Sequence, residues 1–318
     1  MPARNQRPAY GLGVPETELP RDHFVSRGYQ QNFASPDKRI AVISAASGRV
    51  IDVGRPIKSN FREQGFTTFL EAGVPNDLLE RAFVSVERRV LNEIRNIGVD
   101  RCGPQQKADV ANLFAIHLVR SPAFKAFHRD IGDRFRAVDV PAFVNNPEYI
   151  ERFEASEGRP PTEAELLELA LRAYDELATD PMSLVTTMIR QHDAIAEKLN
   201  GFHLQVVALA DSRLPGFVIG DTPVVHAALG SGRCGFRDRL ALGDANFIIG
   251  PLTRTTAACF SARPLRPELI KTRKRVDAIN AVFLRAAFRE VACHPDDARA
   301  VRQAHSRLDR LPPSILAG

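Results

Sequence analysis

"QHDAIAEKLNGFHLQVVALADSRLPGFVIGDTPVVHAAL", residues 191–229, decides the fold, because the spacing of apolar residues changes inside it. Up to Leu199 the apolar positions keep helical steps, Ile195 and Ala196 continuing a face begun by Val185, Met188 and Ile189. From His203 the apolar runs are short, rich in β-branched residues and divided by Gly, Asp and Pro, which is the pattern of strands. "NFIIGPL" (246–252) and "TAACFSA" (256–262) extend that pattern, so an antiparallel sheet is expected.

Upstream, helices dominate. Leu79, Phe83, Val86, Val90, Ile94 and Ile97 recur at three- and four-residue steps, predicting a helix from Pro75 to about Ile97 with proline in its first turn. A second helix is expected from Gln105 to Arg120, where Pro122 interrupts it, and a third from Ala123 to Arg136. Thr162 and Glu165 form a capping box ahead of another helix, and Asp180-Pro181 opens one through Leu199. At the other end of this block, "RIAVISAASGRVIDV" (39–53) reads as a hairpin about Ser47-Gly48. The late stretches "ELIKTRKRVDAINAVFLRAAFREVAC" and "PDDARAVRQAHSRL" read as helices. The expectation is therefore α+β: an N-terminal hairpin and a C-terminal antiparallel sheet flanking a mostly helical middle.

The chain has 318 residues, 44% hydrophobic and 25% charged, enough for a large core. Residues 1–20 read as a flexible tail and 21–318 as a single domain, since no low-complexity linker or repeat divides them. No apolar run approaches the ~20 residues that span a bilayer. Cys102, Cys234, Cys259 and Cys293 lack zinc or disulfide spacing, and a cytoplasmic protein is expected. A formal charge of +5, carried mostly by arginine, suits an anionic small molecule or nucleic acid as partner, and equally reflects a GC-rich coding sequence. Serine-hydrolase, P-loop, dinucleotide and paired-histidine zinc motifs are absent from the sequence.

Several residues could carry chemistry. His117 and Arg120 lie three apart on one helix, so a guanidinium could grip an anion beside a proton-transferring imidazole. Against this, Arg120 could cap the last carbonyls while His117 fills the core. Asp221 ends an apolar strand in "FVIGDTPVV", a placement that suits a base or a divalent-cation ligand, and equally an Asx-turn. His226 follows five residues on. His192 reads as a core histidine whose neighbour Asp193 points elsewhere on the helix. Asn280 sits on an apolar helical face, where it could bind a ligand or a neighbouring backbone. The basic run Lys271 to Arg275 could meet phosphates or be a solvated face.

The order of these motifs resembles the domain-of-unknown-function family DUF4238, whose members open with His-x-x-Pro, an aromatic stretch and Phe. In "HFVSRGYQQNF" (23–33), His23, Val25, Tyr29, Asn32 and Phe33 match, whereas Ser26 stands where the family has proline, and Gly28 and Gln30 replace bulky apolar residues. The family's Arg-Ser/Thr-Pro resembles Arg120-Ser121-Pro122, its Ser-Asp-Asn-Pro turn Gly220-Asp221-Thr222-Pro223, its Pro-Leu strand Pro251-Leu252, and a late-helix asparagine Asn280. The resemblance implies a shared α+β fold and a meeting of His23, Arg120, Asp221 and Asn280. It implies no established reaction. The expected activity is hydrolysis of a phosphodiester or other anionic substrate, with His23, His117 and Asp221 catalytic and Arg120 and Asn280 binding the anion. A binding module without turnover and a purely structural cluster are the alternatives.

Overall fold

The computed structural model describes residues 19–71, 74–99, 102–179, 181–228, 233–266 and 268–308. The expected tail, apart from Leu19 and Pro20, and the expected cap Asp180 lie outside them. In chain order the elements are β1 (Arg21–His23), α1 (Arg27–Gln30), β2 (Arg39–Ser44), β3 (Val50–Pro56), β4 (Arg62–Gln64), β5 (Phe69–Glu71) and β6 (Val74–Asn76). The helical block follows: α2 (Leu78–Glu93), α3 (Pro104–Val119), α4 (Pro122–Val144), α5 (Pro147–Glu157), α6 (Glu163–Thr179) and α7 (Pro181–Gly201). Then come β7 (His203–Leu209), β8 (Ile219–Gly220), β9 (Val225–Ala228), β10 (Arg233–Cys234), β11 (Phe247–Pro251), β12 (Thr256–Ser261), β13 (Glu268–Ile270), α8 (Arg273–Ala286), β14 (Glu290–Cys293) and α9 (Ala298–His305).

The fold is α+β, as the change of period at His203 predicts. A six-stranded sheet runs β10-β9-β11-β12-β7-β13, antiparallel except where β13 lies parallel to β7. The N-terminal hairpin β2–β3 does not extend this sheet. It pairs instead through β2 with β14, and β14 with β8, giving a separate four-stranded sheet β3-β2-β14-β8. β1 pairs with β4, and β5 with β6.

Neighbouring residues along the strands enter two different apolar clusters. Val206, Ile248, Ala258 and Phe260 face a cluster shared with α2, α3 and α7, together with Ile40 and Val42 of the hairpin. Val207, Ile249, Ala257 and Cys259 face one shared with α8 and α9, together with Ala41 and Ile43. Strands buried on both faces need no polar alternation, which is why the sequence shows continuous apolar runs there. α3 is buried on almost every side from Asp109 to Val119, as befits a helix apolar all round.

Two local expectations differ from the structure. Pro75 does not start α2 but lies in β6, opposite Leu70 of β5, and the helix begins after Asp77. The late stretch expected to be helical throughout is strand, helix, strand, because Thr272 accepts the Arg275 amide and starts α8 only there, and Ala287 leaves helical geometry. The Thr162–Glu165 capping box forms as expected, with Thr162 N–H 2.9 Å from Glu165 Oε2 and Glu165 N–H 3.3 Å from Thr162 Oγ1.

α3 rests on the large sheet at Gly250. A Cβ there would come within 2.8 Å of Phe114 Cζ and 3.0 Å of Val224 Cγ2, and Phe114 is further fixed edge-on to Phe260 at 5.6 Å. Gly250→Ala should therefore lose about 1–3 kcal/mol of stability in urea denaturation, the usual cost of overpacking a filled core.

Candidate functional site

Arg120 is the C-cap of α3, its amide bonded to the Ile116 carbonyl at 2.8 Å. Ser121 then accepts the Phe124 amide at 3.0 Å and, with Pro122 as first residue, starts α4. The Arg-Ser-Pro run is thus a helix-to-helix corner that turns the Arg120 side chain inward, where it is 0% exposed.

Two carboxylates of α2 meet it. Glu80 Oε2 lies 2.5 Å from Nη2, and Glu87 Oε1 lies 3.7 Å from Nη1, an ion pair too long for a hydrogen bond. Glu80 is steadied by the Thr67 hydroxyl at 3.0 Å. The Thr67 amide in turn donates to Asp22 at 2.9 Å, and Asp22 also receives Thr68 N–H and Oγ1–H at 2.8 and 3.0 Å. β1 therefore brings its own next residue, His23, to the same place.

Ser26 N-caps α1 by accepting the Tyr29 amide at 3.3 Å, and its hydroxyl stands close enough to Glu87 to favour the ionised carboxylate. Tyr29 is fully buried, donates its hydroxyl to the Pro251 carbonyl and lays its ring 4.3 Å from that of His117. The cluster thus gathers His23, Ser26, Tyr29, Glu80, Glu87, His117 and Arg120.

Its members are short of hydrogen bonds. His23 Nε2, both ring nitrogens of His117, Arg120 Nε and Nη1, and Glu87 Oε1 are buried without a protein partner. Burial, with Arg120 adding to it, depresses His117 to about 3, so it is neutral at physiological pH. His23 is lowered to about 4 by burial and by the positive charges of Arg27, Arg120 and Arg62, a hydrogen bond to the Lys58 backbone opposing them. Glu87 moves up to about 7, because burial outweighs the attraction of Arg120 and Glu80 repels it further.

Asp221 and Asn280 are employed elsewhere. Asp221 Oδ1 accepts Phe288 N–H at 2.7 Å, and Oδ2 accepts those of Arg289 and Glu290 at 2.5 and 3.3 Å, closing the turn between α8 and β14. Burial raises it to about 6 against those donors. Surrounded by amide hydrogens, its oxygens do not fit a divalent cation, and among the described residues no group of three or more His, Cys, Asp or Glu side chains is placed to hold a metal ion. Asn280 accepts Val218 N–H at 3.1 Å and donates to the Gly216 carbonyl at 3.0 Å, pinning the loop before β8. The expected meeting of all four signature residues is thus replaced by one around Arg120, which includes His23 but finds Asp221 and Asn280 bonded to backbone.

Other residues resolve similarly. His226 Nε2 lies 2.9 Å from the Leu240 carbonyl. His192 does meet Asp193, its Nδ1 2.9 Å from Oδ1, contrary to the helical-wheel expectation. Arg275 of the basic run pairs with Glu268 at 2.8 Å. The sequence reading missed Glu80 and Glu87. The available signal was Glu87 itself, which is buried in line with Leu79, Phe83, Val90 and Ile94, whereas Val86, counted in the stripe, is only half-buried.

Residues 21–297 match the family of proteins of unknown function DUF4238. The chain belongs to that family. No curated protein and no solved structure matches it. Among the described residues no helix is long and apolar enough to cross a membrane, and all four cysteines are free. The DUF4238 opening motif and its Arg-Ser-Pro run are the parts that meet at Arg120, while its Asp-containing turn and late asparagine brace the strands around α8.

Because His117 is depressed in the folded chain, it contributes stability that is present above pH 6.5 and lost as pH falls towards about 3. His117→Phe should remove that sensitivity. Between pH 6.5 and 4.5 the wild type should lose on the order of 2–3 kcal/mol relative to the variant in urea denaturation. Asp221→Ala, which strands three amides, should cost about 2–4 kcal/mol in urea denaturation at pH 7.5.

Proposed function

We propose that the chain is a hydrolase of phosphodiesters or related anionic substrates, working at the His23–Arg120 cluster in the cytoplasm. The observation that carries this reading is His23: a half-buried, neutral imidazole with an unpartnered Nε2, under the combined field of three arginines. Arg27 and Arg62 are exposed to water, whereas Arg120 is fully buried.

An oxyanion docking against Arg27 and Arg62 cancels part of the field that depresses His23, so binding raises the imidazole's proton affinity. His23 is then a general base of useful strength when, and only when, substrate is present. Once a movement of the ring has opened its buried Nε2 to the docked substrate, it takes a proton from the attacking water as the new P–O bond forms, and returns that proton to the leaving oxygen as the old P–O bond breaks. Arg120 stabilises the added negative charge from behind, in a site of low dielectric. His117, fully buried against Tyr29, is a neutral neighbour of Arg120 rather than a group that reaches substrate.

A second reading, anion binding without turnover, draws on the complete burial of the Arg120 guanidinium. Such burial leaves a docked anion in direct contact with His23, Arg27 and Arg62 alone.

Purified protein should cleave bis(p-nitrophenyl) phosphate, and labelled RNA or DNA, without added metal. His23→Asn should lower kcat at least 100-fold while phosphate affinity changes less than about threefold, since general-base catalysis is worth about 10²–10⁴. Arg27→Ala and Arg62→Ala should each raise the phosphate Kd several-fold, and more at low ionic strength. Phosphate binding without cleavage of any of these substrates would establish the binding module instead.

A further inference from the structure

The run "CGFRDRL" (234–240) folds into a 3₁₀ turn at Phe236–Asp238 between two residues of positive φ, Gly235 at 71° and Arg239 at 53°. Phe236 is buried there, its ring 5.2 Å from that of Phe127 on α4, while Arg237 and Arg239 are exposed. Phe288, just past α8, remains 41% exposed although its amide is fixed to Asp221 at 2.7 Å. Ala123 and Ala126 of α4 leave the space between these groups open, and a cleft of about 170 Å³ results. None of its lining residues belongs to the Arg120 cluster. Its volume is on the scale of a cavity that admits one benzene ring.

Two features suit this cleft to a charged guest. The first is the guanidinium of Arg237. Nη1 donates to the Ala287 carbonyl at 3.0 Å and to that of Arg285 at 3.4 Å, which anchors the group against the turn between α8 and β14. Nε and Nη2 have no partner among the described residues, and that edge of a guanidinium is able to hold an oxyanion through two parallel bonds. The second feature is the charge balance. Arg237 and Arg239 against Asp130 leave the lining with a single net positive charge, the complement of one carboxylate. Arg239 and Asp130 form a solvent-exposed ion pair at 3.2 Å, of a kind worth little, so Arg239 can turn towards an arriving anion. Phenylalanine rings supply most of the remaining wall, and they favour an aromatic guest through offset or edge-on stacking.

We propose that this cleft is a binding site for a small aromatic carboxylate, its ring lodged among Phe127, Phe236 and Phe288 and its carboxylate held bidentately by Nε and Nη2 of Arg237. The site is independent of the His23 cluster and of any reaction there. It also gives the Asp221 turn a consequence beyond bracing strands, because the amides that Asp221 holds fix the segment carrying Phe288.

The test is an NMR titration of the full chain, labelled in its phenylalanine rings, with benzoate in phosphate-free buffer. The ring resonance missing in Phe288→Leu should shift saturably. Benzyl alcohol, which lacks the charge, and cyclohexanecarboxylate, which lacks the aromatic ring, should both bind more weakly. Arg237→Ala and Arg237→Lys should each raise the benzoate Kd about tenfold, since lysine keeps the charge but cannot offer two parallel donors. Ala126→Phe fills the cleft without removing a hydrogen bond and should abolish the shift, which keeps the test decisive if the Arg237 variants fold poorly. His23→Asn should leave the benzoate Kd within about twofold, so failure of the hydrolase reading and failure of this one are separable. No saturable shift of the Phe288 resonance, or an unchanged Kd in Ala126→Phe, would overturn the proposal. Phenyl phosphate binding as tightly as benzoate would overturn the assignment to a carboxylate.

Discussion

A guanidinium with no exposure to water has to be paid for by neighbours, and the placement of the N-terminal third of this chain follows from Arg120. An unpaired buried charge costs several kcal/mol, so the elements around it are constrained to bring counter-charge. α2 supplies Glu80 and Glu87 seven residues apart, on one helical face. Glu80 needs Thr67, Thr67 needs Asp22, and Asp22 is the residue before His23. The path from α3 to β1 is thus a continuous chain of charge-assisted hydrogen bonds, and β1, three residues long and paired only with β4, owes its position to it.

Most of the fold was legible because helices and strands are announced by local spacing. The corner at Arg120 was readable from Pro122, the hairpin from Ser47-Gly48, and the sheet from apolar runs whose neighbours turn out to face α3 on one side and α8 on the other. Pro75 misled because proline suits a first helical turn and an edge strand alike, and only pairing with β5 distinguishes them. β13 and β14, three and four residues long, flank a strongly periodic helix and vanish into its pattern. Their identity depends on partners, β7 and β2, that are distant in sequence.

The site was legible in type and not in partnership. His23, His117 and Arg120 could be singled out as groups able to move protons or hold anions, but polar residue type does not tell whether the partner is a ligand or a main-chain amide. Asp221 and Asn280 have the same chemistry in sequence as a base and an anion holder. In space their oxygens and nitrogen are filled by backbone groups of 288–290 and of Gly216 and Val218. Glu87 failed to stand out for the opposite reason, since a carboxylate inside an amphipathic helix is ordinarily on its solvated face.

The contrast between those two sets is one between polar groups that are fully engaged and polar groups that are not. Asp22, Asp221 and Asn280 are buried and fully engaged, which is the behaviour of residues that hold a scaffold. His192, Thr222 and His226 each have one unpartnered atom, isolated from the others. Among the described residues around Arg120, by contrast, six such atoms on four side chains fall within one connected group, which includes the half-buried histidine that opens the family's first motif. A fold that needed only rigidity there would gain more from apolar residues of the same volume, because each unmet donor or acceptor costs about 1–3 kcal/mol. That cost is concentrated around Arg120 and His23, whose imidazole also feels the charges of the exposed Arg27 and Arg62, and the proposed anion site rests on this concentration.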